Sequence, residues 1–119
     1  MNLKECYEAM HGDYDDVMGR LPREASIIKY LRRFAENEEF AELLTAAGNK
    51  DYRRVFELSH DLKGMAANLS ITGFQKKVSA VCEETRDREP GEGFAALVKE
   101  AEEEYQVVLA AVKELEDAQ

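Results

Sequence analysis

Phe94, Leu97, Ala101, Tyr105, Val108, Val112 and Leu115 recur at steps of three and four residues along the C-terminal stretch of the chain. That rhythm is the period of an α-helix, which stacks such residues on one face; a strand would need them at every second position. The spacing returns upstream in Ile27, Leu31 and Phe34, in Phe40, Leu43 and Leu44, and in Val55, Leu58, Leu62, Met65 and Leu69. No run alternates apolar with polar residues for long, and Pro22 and Pro90 both fall between helical stretches. The chain is predicted to be all-α.

Capping residues and breakers divide that pattern into segments. A short helix from residue 3 is expected to stop at Gly12, and Asp13, with Asp16 three residues on in a near-capping-box arrangement, opens a second that ends near Gly19. Pro22 suits the first turn of a third helix running to Asn37. Glu38 and Glu39 open a fourth, closed by Gly48, and Asn49 or Asp51 caps a fifth through Leu69. Thr72 and Gln75 read as a T-x-x-Q capping box for a sixth helix to Arg88, and Pro90-Gly91 breaks the chain before a last helix from Gly93 to Glu116. Four long amphipathic segments joined by short turns are expected to pack as an up-down four-helix bundle, the short N-terminal helices covering one end. With 119 residues, 45% of them hydrophobic, residues 1–119 are expected to form a single domain.

A formal charge of −9 repels phosphate backbones and anionic lipid heads, so neither nucleic acid nor a membrane is an expected partner. The opening MNLKECYEAM lacks a basic start followed by an apolar run, and the longest apolar runs are only a few residues, which predicts a soluble, cytoplasmic protein. Cys6 and Cys82 form no C-x-x-C and are too few for a disulfide framework, in keeping with a reducing compartment; both read as partly buried thiols.

The stretch ELSHDLKGMAA, residues 57–67, holds the densest chemistry. At ~100° per residue, His60 points about 170° away from the centre of the Val55–Leu69 apolar stripe and so faces water. Gly64 and Ala67 follow it at i+4 and i+7, and Lys63 stands to one side at i+3. The plain reading is a solvated helix face with an ordinary histidine. Against that reading, an exposed mid-helix glycine costs roughly 1 kcal/mol relative to alanine, and its place one turn beyond the histidine argues that something large approaches the imidazole. Neutral imidazole is a good nucleophile toward phosphorus, and Lys63 is placed to pair with phosphoryl oxygens. Glu57 at i−3 is a candidate to orient the ring. Phe56, about 40° from His60 around the helix, is a candidate anchor for a partner, with packing against a neighbouring helix the favoured alternative. His11 reads as a surface residue at a helix C-terminus, where positive charge is favourable.

His60-Asp61-Leu62-Lys63-Gly64-Met65-Ala66-Ala67-Asn68-Leu69 resembles the H-x-L-K-G-x-x-x-x-L signature of histidine-containing phosphotransfer (HPt) domains, and the stretch from Gly12 to His60 looks like the front half of stand-alone bacterial members. The resemblance implies a phosphorelay intermediate in two-component signal transduction, without catalytic activity of its own. His60 would be the phosphoacceptor, Lys63 would steady the phosphoryl group, and Gly64 and Ala67 would give a receiver domain room. Expected partners are response-regulator receiver domains and a hybrid histidine kinase; no cofactor is expected on this chain, the Mg²⁺ belonging to the receiver. Two positions depart from the pattern. Ser70 stands where the family usually has glycine, and Cys82 stands where many members place a glutamine that hydrogen-bonds the histidine. Gln75, Ser79, Cys82 and Arg86 share one helical face, and Gln75 and Arg86 are candidate flanking residues, against plainer readings as a cap and a solvated charge.

Two other readings compete with this one. Glu8-Ala9-Met10-His11 and Glu57-Leu58-Ser59-His60 both match the Glu-x-x-His motif of di-metal carboxylate bundles, but Glu57 and His60 are predicted to lie opposite the apolar stripe, and no metal is expected. A helical adaptor that binds receivers without phosphorylation would be expected to lose or crowd the histidine. Nothing in the chain resembles the Gly-rich ATP-binding domain of a sensor kinase.

Overall fold

Asn2 starts the first helix by accepting a hydrogen bond from the Glu5 backbone N–H, while the Glu5 carboxylate accepts from the Asn2 N–H, forming a complete capping box. In the computed structural model, which describes residues 1–118, the helices run in the order α1 (Leu3–Ala9), α2 (Tyr14–Arg20), α3 (Glu24–Glu36), α4 (Glu39–Gly48), α5 (Tyr52–Asn68), α6 (Thr72–Glu84) and α7 (Phe94–Asp117). No strand occurs among the described residues, as the helical rhythm predicted. Neighbours in sequence pack in turn, α4 on α5, α5 on α6 and α6 on α7, while α3 and α1 return to α7 and α2 packs on α1. At 1.5 Å per residue, α7 is about 36 Å long. That length accounts for most of the 42 Å long axis of a molecule measuring 42 × 25 × 19 Å.

Four aromatic rings from four helices form the centre of the core. Phe40 of α4 stacks on Tyr105 of α7 with centroids 4.6 Å apart, and Phe34 of α3 and Phe74 of α6 close around them edge-on or tilted at 5.3–5.8 Å. Offset and edge-to-face pairs of this kind add about 0.5–1.5 kcal/mol each beyond the burial of the rings. On α5 the expected apolar stripe forms, except that Ala66 is fully buried while Met65 is only half-buried at its margin. Burial pushes the Cys6 thiol up to about 11, with the charge of Glu114 adding to the effect, which leaves it a poor nucleophile.

Helix ends are where the structure departs from the expected punctuation. Glycine was expected to close α1 and α4, yet the left-handed residues are His11 (φ 59°), Lys50 (φ 58°) and Ser70 (φ 54°). Each of these helices ends in a Schellman motif: Gly12 N–H donates to the Tyr7 carbonyl, Asp51 N–H to Ala46 and Ile71 N–H to Ala66, each at 2.8–2.9 Å. Gly12 is required for a different reason. A Cβ there would lie 2.7 Å from the Tyr7 ring and 3.0 Å from the Ser70 carbonyl oxygen. The T-x-x-Q capping box does not form; Ile71 is the N-cap of α6, Thr72 Oγ1 donates to the Ser70 carbonyl, and α6 ends at Glu84 rather than near Arg88. Thr85, buried at that end, donates to the Val81 and Cys82 carbonyls. Pro22 lies two residues ahead of α3 instead of in its first turn, with Arg23 as the N-cap.

The Ser70 side chain holds α2 against the end of α5. Its hydroxyl donates to Asp16 at 2.7 Å and accepts from Arg20. Arg20 also donates to the Ala67 and Asn68 carbonyls at 2.9 and 3.0 Å, and the Tyr7 hydroxyl donates to the Leu69 carbonyl at 2.7 Å. The C-terminal carbonyls of α5 are thus satisfied by side chains from two earlier helices. Left-handed backbone costs a non-glycine residue about 1–2 kcal/mol, while each hydrogen bond returns about 1 kcal/mol. Ser70→Gly is therefore expected to be nearly neutral, whereas Ser70→Ala keeps the strain and loses the bonds, at a cost of about 2 kcal/mol in urea denaturation. Equal stability of the two variants would contradict this account.

The Ser70 hydroxyl and then the Arg20 guanidinium hold the Asp16 carboxyl below its ordinary range. A depressed folded-state value means that this contribution is present above the unfolded carboxylate range, near pH 4, and is lost as pH falls through the folded value. The stability gap between the parent and Asp16→Asn should therefore narrow on acidification from pH 5 to pH 3, as followed by thermal melts. A gap that is constant with pH would show that Asp16 acts without its charge.

Candidate functional site

Asp51 begins α5 by accepting the Arg54 backbone N–H at 3.3 Å, and the helix then carries its apolar stripe into the core. Leu58, Leu62 and Ala66 are buried, which turns His60 and Gly64 outward; both are exposed. Beneath the histidine, Ser59 is fully buried and satisfies its hydroxyl on the Phe56 carbonyl at 3.1 Å. A Cβ built on Gly64 would meet nothing within 4 Å. No packing constraint inside this chain therefore demands glycine at position 64.

Phe56 is half-buried, and its ring lies 5.9 Å from the His60 ring at a tilt of 41°. The Arg86 guanidinium lies 5.0 Å from the centre of the Phe56 ring and donates to Glu83 at 3.0 Å. Phe56 is thus covered by Arg86 as well as by the histidine, and does not stand alone as an apolar anchor. Arg86, first through the hydrogen bond and then through its charge, holds the Glu83 carboxyl below the usual carboxylate range, and Lys63 and Arg88 add to the effect. Lys63 from α5 and Arg86 from beyond the end of α6 thus both favour the ionised form of one carboxylate. Glu83 was not foreseen from the sequence. Only its i−3 spacing from Arg86 could have drawn attention to it.

Other candidates fall elsewhere. Glu57 does not orient the imidazole; it faces Arg54 at 3.7 Å, and Arg54 also bonds Glu42 at 2.7 Å. Gln75 lies in the first turn of α6, where its N–H continues the helix onto the Ile71 carbonyl, while Cys82 is fully buried. Of the Gln75–Ser79–Cys82–Arg86 face, Arg86 meets the Phe56 ring. Ala67 is half-buried, its carbonyl taken by Arg20. His11 is exposed as expected and also bridges elements: its Nδ1 meets Glu104 of α7 at 2.5 Å, and its carbonyl accepts from Gly73 N–H. Glu57 and His60 are both exposed, so the inward projection required of a di-metal bundle is not formed there. Among the described residues no three histidine, cysteine or acidic side chains converge, and no helix is long and apolar enough to cross a membrane.

No protein-family model, curated protein or solved structure matches this chain.

Proposed function

We propose that this chain is a histidine-containing phosphotransfer protein, in which His60 takes a phosphoryl group from a receiver-domain aspartyl phosphate and passes it to the aspartate of another receiver. The observation that carries this reading is the exposed imidazole bordered by empty space over Gly64, with Lys63 three residues on along α5 and Arg86 over the ring of the neighbouring Phe56. An unprotonated ring nitrogen attacks phosphorus in line; the P–N bond forms as the P–O bond to aspartate breaks, and the electron pair leaves on the carboxylate. The ring keeps its proton on the other nitrogen, and the reverse sequence unloads the group. Transfer moves a dianionic group onto a surface of a chain with net charge −9, so nearby cations are needed. Lys63 offers one directly, and Arg86 a second when it exchanges Glu83 for the phosphoryl oxygens. The partner receiver supplies Mg²⁺ and the acceptor aspartate, and a hybrid kinase feeds the relay.

The pairwise packing supports an up-down four-helix bundle for this role. With α3 and α4 in series as one side, the packings α4–α5, α5–α6, α6–α7 and α7–α3 close a ring, and His60 stands on its outside.

Incubation with a phosphorylated receiver domain is expected to give label on the protein that is acid-labile and alkali-stable. His60→Gln should abolish the label while the circular dichroism spectrum stays helical. Label retained by His60→Gln would move the acceptor elsewhere, and receiver binding without label on the parent would favour the adaptor reading.

A further inference from the structure

A groove of 450 Å³ opens between the end of α2, α3 and the C-terminal turns of α5, and none of the residues around His60 lines it. Leu21, Phe34, Met65 and Leu69 form its floor. Its size and apolar floor are those of a small-molecule site. Its charge is opposite to that of the whole molecule: the chain carries 25 acidic residues against 16 basic ones, yet the lining holds two arginines and no acid.

The two arginines are not equivalent. Arg20 is occupied by Asp16, Ser70 and the α5 carbonyls. Arg33 has no ion-pair partner among the described residues; its guanidinium lies 5.8 Å from the centre of the Tyr30 ring, which is 40% exposed. Stacking on a ring covers one face of a guanidinium and leaves its N–H edge free for a two-pronged bond to a carboxylate. Asn37 supplies a second donor. Its Oδ1 accepts the Glu39 N–H at 2.6 Å, which fixes the amide, and its Nδ2 finds only the Met65 sulfur at 3.9 Å, a weak acceptor. An apolar floor edged by under-used N–H donors and lacking acids is complementary to one kind of guest.

We infer that this groove binds a small carboxylate with an apolar body, of the arylalkanoate type, its carboxylate on Arg33 and its hydrocarbon part on Phe34 and Met65. The inference does not involve His60 and stands or falls separately from phosphotransfer.

The test titrates the full chain, labelled with ¹⁵N and with ¹³C at the methionine methyls, with 4-phenylbutyrate. Saturable shifts are expected at the Met65 methyl and the Asn37 side-chain amide. Loss of a charge-assisted hydrogen bond should weaken binding about tenfold or more in Arg33→Gln, and equally for the neutral 4-phenylbutyramide; because Arg33 is exposed, the variant should keep its fold. Shifts that do not saturate, shifts centred elsewhere, or equal binding of 4-phenylbutylamine or by Arg33→Gln would overturn the assignment. So would binding of an acidic aromatic peptide with the free anion inert.

Discussion

Gly64→Gln is expected to slow phosphoryl transfer by about a hundredfold while leaving the protein at least as stable as the parent. The two effects have separate causes, which makes the pair diagnostic under the proposed function. On the stability side, Gly64 is exposed in the middle of α5 and a Cβ there touches nothing, so a side chain meets no clash within the molecule. Alanine should therefore add about 1 kcal/mol, and glutamine about half of that, through helix propensity alone. Melting temperatures should rise by roughly 4 and 2 °C respectively. On the transfer side, a flexible side chain one turn from His60 occupies the space through which the receiver's aspartate must reach the ring. A displacement of about 1 Å from in-line geometry costs on the order of a hundredfold. Gly64→Ala, adding one methyl group, should transfer nearly normally. Rapid mixing with phosphorylated receiver measures the rates, and thermal melts measure stability. Glutamine that transfers at the parental rate would remove any functional reason for the glycine.

Phe74→Ala is expected to destabilise the fold by about 3–5 kcal/mol, the range for deleting a large buried aromatic ring. Phe74 is fully buried and contacts Phe34, Phe40 and Tyr105, one ring from each of three other helices. Losing it removes the transfer energy of the ring, three aromatic contacts and the only piece of α6 at that centre, and the surrounding rings are held by separate helices that cannot all move inward. A domain of this size has about 5–15 kcal/mol in total, so the variant should be close to half unfolded at 37 °C if the parent lies at the lower end. Phe94→Ala makes the control. Phe94 is half-buried at the margin of the core and pairs with a single ring, Tyr52, at 5.7 Å, so its loss should cost about 1–2 kcal/mol. Urea midpoints at unchanged slope give both numbers. A loss at Phe74 no greater than at Phe94 would show that the core is not organised around this cluster.

Much of the fold was legible because helix formation follows from local spacing. Four of the seven helical segments and the burial of Phe34, Phe40 and Tyr105 followed from a three-four rhythm that each segment carries by itself, and the other three from capping residues and breakers. The outward direction of His60 was equally legible, since angular position on a helix depends on nothing beyond the neighbouring turns. Helix ends were less so. Their carbonyls and N–H groups take whatever donor or acceptor the fold brings near, and the expected T-x-x-Q box lost to a backbone arrangement that uses Ser70 and Thr72 differently.

What the amino-acid order determined, then, is the set of helices and the face each one shows to water, including the face bearing His60, Lys63 and Gly64. Tertiary structure alone decided which distant groups meet there and at the ends. Arg20 caps a helix that ends 48 residues later, as its bond to Asn68 shows, and His11 finds Glu104 across 93 positions. Arg86 reaches the ring of Phe56 only because α5 and α6 pack side by side. Periodicity is a property of residues a turn apart, whereas a contact between remote side chains exists only after the chain has closed on itself, so no local pattern encodes it.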